Sequence, residues 1–177
     1  MTFEEIEKNE TIRAYISKAD ESLVALGYTE HSFAHVTHVA AMAGYLLETL
    51  GYDAHTVELA KIAGYLHDIG NLVNRIEHSQ SGAVMAFQIL TSLGFGAEDV
   101  ATIVTAIGNH DEGTGVPVNA VAAALILADK ADVRRSRVRE KPKASFDIHD
   151  RVNYAVTDQT LKINTDKKVI SLNLQID

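Results

Sequence analysis

Apolar residues recur at three- and four-residue steps through most of the first 139 positions, and neither of the two prolines, Pro117 and Pro142, interrupts a periodic segment. A proline inside a helix removes a hydrogen bond and clashes with the preceding turn, so this distribution favours a chain built largely of uninterrupted helices. The spacing predicts helices over 3–26, 33–50, 54–68, 80–93, 97–110 and 119–139, joined by short turns. Gly27, Gly51, Gly94 and Gly96 stand at the expected helix ends, where the missing Cβ permits a left-handed cap. Beyond Pro142 the period changes to two, over 152–157, 161–164 and 169–176, with turns expected at 158–160 and 165–168. These runs predict a small antiparallel sheet, too short to stand without packing on the helices. The expected fold is therefore mainly α: an all-helical domain over 1–145 with a small antiparallel β extension, 146–177, packed on it.

Composition narrows the chemistry. With 177 residues and 46% apolar content the chain can close one core unaided. Its formal charge of −8 makes nucleic acid and anionic membrane unfavoured partners. No cysteine is present, which excludes disulfides, thiolate catalysis and cysteine-ligated zinc, so a metal would need histidine and carboxylate. The opening MTFEEIEKNE is acidic and lacks the apolar core of a secretory signal, and the longest uncharged stretch, 79–97, carries Gln80, Gln88 and several hydroxyl residues. A cytoplasmic protein with no membrane span is expected.

The phase of the ionisable residues is the informative feature. In the second helix His35 lies four residues before Val39, at the edge of a stripe formed by Val36, Val39, Ala40, Ala43, Leu47 and Leu50. His67 follows Ala63 by four and Leu59 by eight, so His67 and Asp68 end a buried face. His110 is in phase with Ile103 and Ile107, and Asp129 with Ala122 and Leu125 in the most apolar helix of the chain. A single such residue is most simply a hydrogen-bonded core group, but a lone carboxylate among leucines is strongly disfavoured. Imidazole and carboxylate groups together on the inner faces of four helices form the ligand set of Mn²⁺, Fe²⁺, Co²⁺ or Zn²⁺, with Mg²⁺ less suited. A shared metal would explain them together. His78, eleven residues after His67, can loop back as a further ligand, whereas His31, His55 and His149 read as surface residues.

The order His35, His67-Asp68, Asp129 resembles the H…HD…D signature of the HD-domain metal-dependent phosphohydrolase superfamily. Its local context matches as well: His35-Val-Thr-His-Val-Ala40, Ala63-Gly-Tyr-Leu-His-Asp-Ile-Gly70 and Leu125-Ile-Leu-Ala-Asp-Lys130 resemble the family's three metal-binding segments. The match covers roughly residues 30 to 140, and the valine four positions on, Val39, selects His35 over His31 and His38. The resemblance implies an HD-type helical bundle. His78 and His110 fall where binuclear members carry extra histidines, which implies six ligands and a binuclear centre bridged by Asp68, with a mononuclear site as the simpler form. Asn109-His110-Asp-Glu-Gly-Thr-Gly-Val-Pro117 is similar to the HD-GYP loop, but Asn109 and Val116 replace its histidine and tyrosine. Asn71 replaces the lysine of HDIGK on the substrate side.

The implied activity is hydrolysis of a phosphate ester of a small molecule, foremost a nucleotide, through a metal-activated water. Asp68 would then be central to catalysis, and Asp111, beside His110, would orient a ligand or carry a proton. Downstream, Lys130 and the run from Arg134 to Lys143, six bases against Glu140, form a basic ridge. If the last helix continues to 139, Arg135 and Arg139 share a face and, with Lys130 and Asn71, are the candidate substrate contacts. A solvated surface is the plain alternative for that ridge. Two other functions compete: a di-iron oxygenase using the same ligands, and a non-catalytic module whose metal braces the bundle. The final strand reads as a sheet edge or as a strand paired across a homodimer.

Overall fold

The structure, a computed structural model, describes residues 2–140 and 142–177; Met1, and Lys141 of the basic run, lie outside them. Eight α-helices and one two-stranded sheet occur among the described residues. They are α1 (Phe3–Lys8), α2 (Glu10–Leu26), α3 (Phe33–Thr49), α4 (Ala54–Leu66), α5 (His78–Ser92), α6 (Ala97–Gly108), α7 (Ala120–Ala131) and α8 (Ile148–Ala155), followed by β1 (Val156–Asn164) and β2 (Val169–Ile176). The core runs through α2, α3, α4, α6 and α7, from Ile12 and Ile16 through Val39, Leu46, Ile62 and Leu66 to Ile103, Ile107 and Leu125. The mainly helical expectation holds, and its departures are each local.

The expected helix over 3–26 is two helices, because Asn9 leaves the helical region and its side chain accepts from the Ile12 amide as the N-cap of α2. The short α1 is tied to α4 by a hydrogen bond from the Phe3 amide to the Glu58 carboxylate. The helix expected over 119–139 ends at Ala131. Asp132 turns out of it, at ψ 66°, to present its carboxylate to His35 and Arg134. Arg135 and Arg139 consequently do not share the helical face expected of them, and this correction reaches the site. Gly27, Gly51 and Gly94 have φ near +80°, as left-handed caps require, but Gly96 has φ −63° and starts α6 instead.

The sheet is one hairpin. Residues 148–155, where a strand was expected to begin, fold as α8 behind an Asp147 capping box, and 158–160 is strand rather than turn. The turn at 165–168 is where the period placed it. Leu161 pairs with Leu172 and Ile163 with Ile170, which puts the apolar residues on one face. Leu161 and Ile163 touch the edge of the core, while β2 is exposed along its length. The hairpin is thus only partly packed on the helices.

Candidate metal centre

Helix ends converge at one pole of the bundle and carry the ionisable residues there. His35 lies in the first turn of α3, His67 caps the C-terminus of α4, His78 opens α5, His110 follows the end of α6 and Asp129 lies in the last turn of α7. Asp68 precedes a 3-10 turn, Ile69–Leu72, that reverses the chain. Close approach makes this possible: a Cβ on Gly70 would stand 1.9 Å from the His78 carbonyl oxygen, so only glycine lets α5 start against the turn. Gly64 likewise lets α3 and α4 touch, since its Cβ would meet the Ala40 backbone at 2.7 Å.

Six of the sequence-derived site residues meet in this cluster. The Nε2 of His67 lies 3.2 Å from Asp68 Oδ2 and 3.7 Å from Asp129 Oδ1; the Nε2 of His35 lies 3.5 Å and 3.3 Å from the same two oxygens. His78 Nε2 is 3.4 Å from the other oxygen of Asp68, Oδ1. His110 stacks edge-on against both His67 and His78, at 5.0 and 5.1 Å between ring centres. His35, His67 and Asp129 form one group of converging ligand atoms, and His67, Asp68 and His110 a second, all within 4.8 Å of one another in each group. The two oxygens of Asp68 therefore look toward different sides of the cluster.

The outer nitrogens explain why the inner ones face the centre. Nδ1 of His67 bonds the Gly64 carbonyl at 2.8 Å, that of His110 the Ile107 carbonyl at 2.6 Å and that of His78 the Arg75 carbonyl at 3.2 Å. His35 Nδ1 bonds the Asp132 carboxylate at 2.7 Å. Each of these contacts calls for a proton on Nδ1, which leaves Nε2 as a lone-pair donor aimed inward. Among the described residues the buried His35 Nε2, His67 Nε2 and Asp68 Oδ2 have no hydrogen-bond partner. Buried polar atoms without partners are costly, and these three converge on one place, so the residues fit a divalent cation.

Electrostatics points the same way. Burial by itself raises the Asp68 and Asp129 carboxyls, yet the surrounding imidazoles hold both well below the usual range. Burial opposes charge on His67 too, but Asp68 and Asp129 outweigh it and raise this imidazole to about 10. His110 is pushed down to about 4 by burial and by neighbouring His67, and burial also lowers His78. Two carboxylates thus demand positive charge at the centre of a ring of imidazoles.

Above the cluster opens a cleft of about 580 Å³, walled by Tyr28, Arg75, Asp111, Lys130, Arg137 and α8 among others. Lys130 is on this wall, its ammonium 2.8 Å from Asp129 Oδ2 and 3.5 Å from Glu112. Asp111 lines the cleft beside His110. Three expected substrate contacts are elsewhere. Arg135 donates to the Tyr154 carbonyl and pairs with Asp177 at 2.9 Å, because the chain leaves helical phase at Asp132. Arg139 donates to the Tyr28 carbonyl and pairs with Asp20 at 2.5 Å. Asn71 is 1% exposed, beneath the cleft, and its amide donates to Asp68 Oδ1 at 3.1 Å, so it holds a ligand instead of facing substrate.

The sequence missed other participants. His31, expected at the surface, has a side chain only 11% exposed, with Nε2 4.0 Å from Asp68 Oδ2; burial pushes it down to about 3. Its four-residue spacing from His35 was the available signal. His149 is exposed as expected but lies on the cleft wall, and His55 is exposed beside Asp99, also as expected. Asp132 is fully buried and held charged by His35 and Arg134 against its desolvation. Arg137 braces this loop, donating to the Asp132 carbonyl at 2.9 Å and the Glu30 carbonyl at 3.1 Å. No helix among the described residues is long and apolar enough to cross a membrane.

Comparison with known proteins matches the HD domain family over residues 32–152. An uncharacterised protein of Methanocaldococcus jannaschii is 28% identical over 173 residues, covering 84% of this chain and 66% of that protein. Ribonuclease Y of Bacillus subtilis is 30% identical over 119 residues, which are 67% of this chain and 21% of that one. The chain therefore spans just under two thirds of the archaeal relative and about a fifth of the ribonuclease. Among solved structures, a predicted HD superfamily hydrolase from an uncultured Thermotogales bacterium aligns with a TM-score of 0.54 at 25% identity, over 74% of this chain and 73% of that one.

Proposed function

This chain belongs to the HD domain family, and from that premise we propose that it is a metal-dependent phosphohydrolase acting on a small phosphorylated compound, foremost a nucleotide. The observation that carries the reading is the convergence of three partnerless buried atoms, His35 Nε2, His67 Nε2 and Asp68 Oδ2, behind an open cleft whose lining includes Asp68, His78, His110 and Asp129. His35, His67, Asp68 and Asp129 would hold one ion, and His78 and His110 would join Asp68 around a second. The opposite outlook of the two Asp68 oxygens supports a pair. The imidazole-rich set favours Mn²⁺, Fe²⁺, Co²⁺ or Zn²⁺ over Mg²⁺. Bound there, divalent ions supply Lewis acidity, lowering the pKa of water and neutralising charge on phosphoryl oxygens.

The chain's own residues supply placement. Asn71 and Lys130 fix the carboxylates of Asp68 and Asp129, each by its own contact, so that both carboxylates stay turned to the cluster. Asp111, on the wall next to His110, would take up or return a proton at the leaving oxygen. The cleft volume and the net charge of −8 favour a mononucleotide over a polynucleotide, although ribonuclease Y is a relative.

Protein loaded with each transition ion in turn should be offered nucleoside mono-, di- and triphosphates, cyclic nucleotides and a short oligoribonucleotide. Mononucleotide turnover that disappears in Asp68→Ala together with the metal is the expected result. Preferred cleavage of the oligoribonucleotide would move the substrate to RNA. A wild type that binds the ion but releases no phosphate would overturn the activity, and oxygen consumption by the iron form would replace it with oxygenase chemistry.

A further inference from the structure

Most cations near the cleft are already neutralised. Lys130 faces Asp129 and Glu112, Arg137 lies 3.9 Å from Asp132, Arg134 pairs with Asp132 and Glu30, and Arg135 and Arg139 pair with Asp177 and Asp20. Of the three basic residues that line the cleft, Arg75, Lys130 and Arg137, only Arg75 has no carboxylate within 4.0 Å among the described residues. Its guanidinium makes two long contacts, each 3.4 Å, from Nη1 to the Asn71 side-chain oxygen and to His78 Nε2. It also stands over the Tyr28 ring, 5.7 Å from its centre.

That arrangement holds the cation in place without satisfying it. The ring of Tyr28 limits where the guanidinium can go, and the Tyr28 carbonyl is itself anchored by Arg139. The contact with His78 uses the lone pair that a metal would take, so it cannot persist once that nitrogen is a ligand. A half-buried guanidinium left without an anion, next to a cluster that attracts divalent cations, is suited to a ligand with several anionic oxygens. Its planar fork matches two oxygens of one phosphoryl group.

We propose that Arg75 is a substrate-binding residue that holds non-bridging oxygens of the phosphoryl group on the His78 side of the cluster. The inference rests on the phosphohydrolase reading. It transfers to Arg75 the role that the sequence suggested for Arg135, and it makes Asn71 the residue that positions both Asp68 and Arg75.

The test uses the full chain loaded with Mn²⁺, with inorganic phosphate as the probe. Phosphate affinity and Mn²⁺ affinity are measured by calorimetry in wild type, Arg75→Ala and Arg75→Lys, alongside KM and kcat for whichever phosphoester is turned over. Arg75→Ala should weaken phosphate binding and raise KM by roughly ten- to a hundredfold, the effect of one charge-assisted contact, with Mn²⁺ affinity preserved. Arg75→Lys should recover part of the loss, and added methylguanidinium should recover part in Arg75→Ala. Unchanged phosphate affinity and KM in Arg75→Ala would overturn the proposal. So would parallel loss of Mn²⁺, which would mean that the side chain only props His78. Arg75-dependent phosphate binding in a wild type that hydrolyses nothing would keep this inference and sink the phosphohydrolase reading, so the two fail separately.

Discussion

Asp132 shows at the residue scale how a carboxylate behind a ligand can control the centre. Its buried carboxylate receives His35 Nδ1 at 2.7 Å, fixing the tautomer that presents Nε2 inward. Removing such an outer partner typically weakens metal binding about 10- to 100-fold, so Asp132→Ala should lower Mn²⁺ affinity by that factor while Asp132→Asn, which still accepts, should cost less. Calorimetric metal titration checks this, and equal affinities would deny Asp132 the role. His67 gives a second expectation. Burial opposes its charge but Asp68 and Asp129 raise it to about 10, so the metal-free protein should hold a proton there at neutral pH. A metal must displace that proton, so binding should release protons and apparent affinity should rise with pH toward 10. Titrations in two buffers of different ionisation enthalpy measure the release directly; heats that do not depend on the buffer would mean that His67 is already neutral.

At the scale of elements, the site depends on two reversals. After His67 the chain passes through a 3-10 turn and a non-glycine left-handed residue, Glu77 at φ 56°, before α5 begins with His78. Gly70 lies where this return meets the turn, with no room for a Cβ beside the His78 carbonyl and the Gly82 amide. Gly70→Ala should therefore force α5 away, costing about 3 kcal/mol, the upper part of the overpacking range, and taking His78 out of reach of Asp68. Thermal denaturation with and without Mn²⁺ would register both effects. A variant as stable as wild type, with the same metal-induced shift, would show that the contact relaxes freely. The second reversal, after Ala131, brings Asp132 under His35 and is braced by Arg137 against the loop preceding α3.

At the scale of the whole molecule, one core carries helix ends from five elements to a common pole, and α8 closes one wall of the cleft that opens there. The inward phase of His35, His67, His110 and Asp129 was readable from the sequence, because helical period and an apolar stripe fix which side of a helix a residue occupies. The positions of most helices were readable for the same local reason. The hairpin was legible as alternating apolar residues, but its start was not: the capping box at Asp147 made 148–155 helical where period two suggested a strand. What local pattern could not supply was direction beyond a helix end. Arg135 and Arg139 were placed by extending a helix that Asp132 leaves in order to meet His35, a residue 97 positions earlier in the chain. His31 offered no more than its four-residue spacing from His35, and Arg75 precedes α5 with no stripe to be in phase with, so the folded chain is what sets His31 beside Asp68 and Arg75 beside His78. The sequence determined which faces are buried, since that depends on spacing along one element; the tertiary structure decided which charges meet, since that depends on where separate elements end.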